Sequence, residues 1–158
     1  MRNEYLHVIE AVGSILENYD TDKQIPVLGY GAKLPSPFLR VSHTFAINGN
    51  IFAPELDGIK GVIQTYQNML LKISLSGPTY FNHILRYVND MIQSDGDGTG
   101  AGAACSQDQQ KYYILLIITD GVIMDMADTI DQIVRGSELP LSILIVGVGD
   151  ADFDDMDK

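Results

Sequence analysis

The sequence predicts an α/β fold: a doubly wound, mostly parallel sheet with helices on both faces. Three observations predict it. Tyr113 to Ile118 (YILLII) is an unbroken apolar run of β-branched, aromatic and leucine residues that ends at Thr119-Asp120-Gly121, the pattern of a strand buried on both faces. Leu141 to Val148 (LSILIVGV) is a second such run. Strand-like and helix-like stretches alternate along the chain with short connections, which implies right-handed crossovers between parallel strands.

The elements follow in order. Asn3 to Tyr19 is an amphipathic helix: Tyr5, Val8, Ile9, Val12, Ile15 and Leu16 recur at the three-and-four spacing of one apolar face, and Asn3 is a suitable N-cap. After an Asp20–Lys23 turn, Ile25 to Gly31 is a short strand, with Pro26 acceptable only near its start or on an edge. Ser36-Pro37 opens an irregular link, and Val41 to Ile47 is an edge strand with imperfect alternation. A second helix from Glu55 to about Ile73 carries Ile59, Val62, Ile63, Tyr66, Met69 and Leu70 on one side; Gly58 and Gly61 make it dependent on tertiary packing. Ser76 to Thr79 is a loop. The helix after it, 79–93, has the cleanest apolar stripe: Phe81, Ile84, Leu85, Val88, Met91 and Ile92. Ser94 to Gln110, rich in Gly, Ala, Asp and Gln, is a flexible insertion. A helix from Met124 to about Arg135 joins the two buried strands.

Composition bounds the function. A chain of 158 residues with 46% hydrophobic residues suits one folded domain over 1–158. No apolar run approaches the ~20 residues of a membrane helix, and the N-terminus lacks the apolar core of a signal peptide. The single Cys105 excludes an internal disulfide and suits a reducing compartment. A formal net charge of −11 argues against a nucleic-acid surface and against unaided adsorption to anionic lipid; cations and basic partners fit it better.

Several motifs have bland explanations. Asp95-Gly96-Asp97-Gly98-Thr99-Gly100 matches the first half of a calcium-binding EF-hand loop, but Ser106 stands where the bidentate Glu belongs, so no calcium is expected there. Gly29 and Gly31, and Gly147 and Gly149, lack the third glycine of a dinucleotide loop and read as strand-end turns. His7, His43 and His83 are far apart in sequence and read as surface or packing residues. Cys105 has no activating neighbour but Lys111. The aspartates from 150 to 157 read as a solvated end, and the methionines as core filling.

Gly77-Pro78-Thr79 and Thr119-Asp120-Gly121 remain. Ligands in open α/β sheets bind outside the carboxyl ends of the strands, where Asp120 would sit. A carboxylate there needs a partner, and a threonine hydroxyl plus an aspartate are suitable oxygens for a hard divalent cation. Each motif also serves as an ordinary turn or helix cap.

The order of the pieces resembles a known family. EYLHVIEAVGSIL (4–16), the Tyr19–Lys23 turn, PVLGYGA (26–32), FAIN (45–48), GPTYF (77–81), IITDGVI (117–123) and IVGVGDADF (145–153) together look like the von Willebrand factor A-type domain of a copine, from about Asn3 to Met156. The resemblance implies a Rossmann-like fold with a metal-ion-dependent adhesion site at the carboxyl edge of the sheet. Thr79 and Asp120 match the threonine and aspartate of that site's second and third loops. The implied cofactor is a divalent ion, Mg²⁺, Mn²⁺ or Ca²⁺. The domain's first strand and its Asp-x-Thr/Ser-x-Ser motif have no counterpart here, and the last helix–strand unit is incomplete. On this reading the fold is truncated at both ends, and ion binding is expected to be weakened or lost.

The implied function is a non-enzymatic protein-interaction module of a calcium-dependent phospholipid-binding protein. Such a module recruits target proteins through the metal site, from the cytoplasm to membranes, with membrane contact only through C2 domains that this chain lacks. No nucleic-acid partner is expected. The competing reading is a metal-dependent hydrolase or phosphoryl-transfer domain using Asp120, although no second carboxylate or lysine flanks that residue. Without the first strand, the strands at 25–30 and 112–119 would face a gap. The expectation is that they pair directly or another segment fills the slot, with self-association through the exposed edge.

Overall fold

In the computed structural model, which describes residues 3–35, 40–96, 111–150 and 153, parallel pairing joins β8 (Tyr113–Thr119) to β9 (Leu141–Gly147). The two are in register from Tyr113↔Leu141 to Thr119↔Gly147. The remaining described strands are two or three residues long and pair antiparallel. β1 (Gln24–Pro26) lies against β6 (Glu55–Asp57), and β2 (Leu28–Gly29) against β5 (Phe45–Ala46). β3 (Ala32–Lys33) sits between β4 (Val41–Ser42) and β7 (Ser74–Leu75). The α/β content therefore stands, but the described strands form short sheets of mixed orientation and not one doubly wound parallel sheet.

The first helix, α1 (4–16), is not uniform: Glu4–Val8 is α-helical, Ile9–Gly13 is a π-helical stretch, and Ser14–Leu16 returns to α. Asn3 caps it, its side chain accepting from the Leu6 amide at 3.2 Å. The helix expected over 55–73 begins later. Glu55–Asp57 pairs as β6, and α2 spans Gly58–Leu70. Gly58 is not a weak point inside that helix. It occupies the first position with φ 58°, a left-handed backbone that glycine adopts without penalty. The Glu17 carboxylate, from the end of α1, accepts the Ile59 amide at 3.0 Å and caps the start of α2.

α3 (Asn82–Gly96) runs past the expected end at 93, so Ser94 and Asp95 belong to the helix. The rest of the expected insertion, with Cys105 and most of the EF-hand-like loop, lies outside the described residues, as do Ser36-Pro37 and Asp154, Asp155 and Asp157. α4 (Met126–Gly136) links β8 to β9.

The apolar stripe of α3 does what its spacing predicts. Phe81, just before the helix, and Leu85 are 1% exposed and pack with Ile117 of β8 and with Ile123. Ile84, Val88 and Ile92 form an adjoining cluster with Leu28, Tyr113 and Leu141 around it. A separate cluster of Ala32, Phe45 and Ile47 is covered by Tyr66 and Met69 of α2. β8 and β9 are less buried than their composition suggests: Ile114, Leu144 and Ile145 are exposed. With two strands in the sheet, part of each face finds no covering helix.

The expected closure of the gap does not occur among the described residues. β8 pairs with β9 on one side only, while Ile25–Pro26 and Leu28–Gly29 are engaged by β6 and β5. Between them lies a cavity of about 1170 Å³, walled by α1, α2, the 25–31 segment and β8. β1 and β2 instead have antiparallel partners of their own, and the 25–31 segment reaches β8 only through side chains such as Tyr30, whose hydroxyl donates to the Ile118 carbonyl at 2.8 Å.

Candidate metal and interaction site

The chemistry gathers where β8 ends. Thr119 is 1% exposed, and its hydroxyl donates to the Gly121 carbonyl at 3.0 Å, with the Gly121 amide 3.3 Å away. That side chain turns the chain sharply at the last strand residue and leaves Asp120 exposed at the tip. The Thr119 carbonyl meanwhile accepts from Val148 at 2.8 Å, holding the turn against β9.

The 77–81 loop comes to the same place. Thr79 Oγ1 lies 3.1 Å from where a Cβ on Gly121 would stand, so glycine at 121 is what lets Thr79 approach the residue beside Asp120. The Thr79 carbonyl accepts from the Met124 amide at 3.0 Å. Asp125 fastens the junction. Its Oδ1 accepts the Phe81 amide at 3.0 Å and its Oδ2 the Asn82 amide at 2.9 Å, satisfying donors at the start of α3. Thr129 Oγ1 also donates to Asp125 Oδ1 at 3.1 Å. Asp125 precedes α4 and has the sequence signature of that helix's N-cap, yet its carboxylate caps the other helix.

Three phenols feel the Asp120 charge. The Tyr5 hydroxyl is pushed well above the ordinary phenol range, first by burial and then by the Asp120 carboxylate. Tyr30 is pushed up to about 12, chiefly by burial, with a hydrogen bond to Thr119 acting the other way. Its hydroxyl donates to the Ile118 carbonyl at 2.8 Å. Tyr66 is raised mainly by burial, and Asp120 contributes. Sequence reasoning missed Tyr5, Tyr30 and Asp125. The first two read as members of apolar patterns, and only Asp125 carried a local signal.

The histidines are not all separate. His43 and His83 stack at 5.6 Å between ring centroids with 17° between planes, and Tyr80 lies 4.8 Å from His43. Burial first, and then His83, holds the His43 pKa below its usual value. His7 is exposed. Gly31 and Gly149 have φ of 64° and 82°, as strand-end turns require. Asp95 lies 3.2 Å from Lys111 Nζ and accepts from the Tyr113 hydroxyl.

The donor chemistry tests the implied ion. Thr79 and Asp120 offer a hydroxyl and a carboxylate from adjoining loops, the oxygen types a hard cation takes, against about six positions to fill. Among the described residues no group of three or more His, Cys, Asp or Glu side chains is placed to hold a metal. Two such donors would leave most positions around an ion to other ligands. A family model described as Copine matches residues 1–158, the whole chain.

Proposed function

From the premise that the chain belongs to the copine family, we propose that it is a protein-interaction module whose contact point is the Thr79–Asp120 corner. The observation that carries this reading is the approach of Thr79 to Gly121 at the carboxyl end of β8. It sets a hydroxyl oxygen and an exposed carboxylate at one edge of the fold. A divalent ion there would be held by Thr79 and Asp120, with water and an acidic group of the target protein as its other ligands. When bound, the ion supplies positive charge that lets an acidic target approach an acidic chain. Tyr5 and Tyr30 border the Asp120 carboxylate and shape that corner without contributing a base.

By family likeness the module works in the cytoplasm and brings targets to membranes when calcium rises, with the lipid contact made by C2 domains. Binding rather than catalysis is favoured by the neighbours of Asp120. The groups that feel the Asp120 charge most clearly are the Tyr5, Tyr30 and Tyr66 hydroxyls, where hydrolysis would call for a base or a lysine. Mn²⁺ added alone to the protein, followed by calorimetry and by the electron paramagnetic resonance of the ion, tests the site. Asp120→Ala is expected to weaken binding roughly tenfold or more, the loss of a charged ligand being worth over about 1.4 kcal/mol; Thr79→Ala weakens it less. Equal affinity in wild type and Asp120→Ala would place the ion elsewhere.

A further inference from the structure

We infer that His43, His83 and Tyr80 form a proton-sensitive latch, closed while the imidazoles are neutral, that ties the turn between β4 and β5 to the start of α3. The chain passes from one small sheet to another at this turn. β4 pairs with β3, β5 pairs with β2, and His43 and Thr44 alone lie between them. Local hydrogen bonds shape the turn: Ser42 Oγ donates to the Thr44 carbonyl at 3.0 Å, and Thr44 Oγ1 to the His43 carbonyl at 2.7 Å. The His43 ring leaves it on the side of α3. It stacks on His83 with centroids 5.6 Å apart and 17° between planes, and Tyr80 closes the group at 4.8 Å from His43 and 6.3 Å from His83. The flanking strands are two residues long, and so short a pairing is weak by itself. The ring contact therefore matters to where the turn sits.

Protonation opposes this packing in two ways. His43 Nδ1 is buried and has no hydrogen-bond partner among the described residues. A neutral imidazole tolerates this, since Nδ1 stays a bare acceptor while Nε2 carries the hydrogen. The imidazolium carries a hydrogen on both nitrogens, and a buried N–H without an acceptor is costly. A charge on both rings also sets two like charges face to face at stacking distance. The titratable groups facing His43 are Tyr80 from the 77–81 loop, His83 from α3 and Asp125 from the segment before α4. Of these the Asp125 carboxylate favours the cation, but its oxygens already take the Phe81 and Asn82 amides and the Thr129 hydroxyl. Lys33, across the ladder, and Arg40, along the chain, are exposed. Burial and His83 outweigh Asp125 and hold His43 below its ordinary value. A group whose pKa is lowered in the packed form supports that form fully above its ordinary value of 6.5, and the support is lost as pH falls through the lowered one. Acid therefore opens the latch.

The latch needs no metal ion, so its test is run on the full chain in EDTA and stands or falls apart from the Thr79–Asp120 reading. NMR follows the His43 ring-proton shifts, and the nuclear Overhauser contacts between the His43 and Tyr80 rings, from about pH 8 to about pH 5. The contacts are expected to weaken roughly twofold or more on acidification, with the midpoint of the His43 titration, and to return on neutralisation. Those between Leu85 and Phe81 in the core persist. His43→Phe keeps a ring in place and removes the proton site, and its ring contacts with Tyr80 are expected to survive at about pH 5. If that variant does not fold, the coincidence of the two wild-type midpoints decides alone. Any of four results overturns the inference: contacts unchanged across the range, a loss whose midpoint departs from the His43 titration, a loss shared by the Leu85–Phe81 contacts, or equal loss in the His43→Phe variant.

Discussion

Tyr30 has two roles that pull on stability in a pH-dependent way. Its hydroxyl donates to the Ile118 carbonyl, and burial raises its pKa from 10.0 to about 12. A phenol whose folded-state pKa exceeds its unfolded value favours the fold fully below the unfolded value, and the contribution disappears as pH rises through the folded one. The denaturant midpoint is therefore expected to fall between pH ~10 and ~12, by an amount equivalent to about 3 kcal/mol at most from Tyr30, with Tyr5 adding in the same direction. Tyr30→Phe should flatten that fall and cost about 1 kcal/mol at neutral pH, because the Ile118 carbonyl loses its donor. An unaltered alkaline profile in the variant would refute the assignment. At this scale the turns at Gly77-Pro78-Thr79 and Thr119-Asp120-Gly121 were legible, since they stand out against apolar runs. Tyr30 and Asp125 were not, because their partners lie 88 and about 44 residues away, and no local pattern encodes such a pairing.

Among the elements, α3 carries the greatest share of the core that can be tested by a single truncation. Leu85 is 1% exposed and touches the cluster formed with Phe81, Ile117 and Ile123. Leu85→Ala is expected to destabilise by about 2–5 kcal/mol in chemical denaturation, while Leu71→Ala, at a position 87% exposed, stays within about 0.5 kcal/mol of wild type. Similar losses at the two sites would mean that α3 does not pack as described. Helix α3, helix α4 and the strands β8 and β9 were legible because each is long enough to show a period or an unbroken apolar run. The antiparallel strands were not. A two-residue strand such as Leu28–Gly29 has no period, and its pairing with Phe45–Ala46 is a tertiary fact. The π-helical stretch at Ile9–Gly13 was equally hidden, since its residues keep ordinary amphipathic spacing.

For the molecule as a whole, charge is the term that no single contact reports. The net charge is −11, and the ion pairs among the described residues join side chains that are 34–73% exposed. Such pairs contribute little, so screening them costs little, whereas screening the self-repulsion of the acidic chain favours the compact state. Raising NaCl from about 10 mM to about 150 mM is therefore expected to raise Tm by several degrees, corresponding to about 1 kcal/mol for a chain of this size. A fall in Tm in scanning calorimetry would show that the ion pairs dominate. The Asp125 carboxylate bears on the same scale. Because it receives the Phe81 and Asn82 amides and the Thr129 hydroxyl together, the first turns of α3 and α4 hang from one pivot beside the Thr79–Gly121 junction. Further along, the same two helices are joined where the buried Asn89 donates from Nδ2 to the Gln132 carbonyl at 2.9 Å. Two contacts between one pair of helices restrict their relative movement, and any ligand at the corner that steadied the helix contact would, by reciprocity, itself be held more tightly when that contact is clamped, by the same free energy.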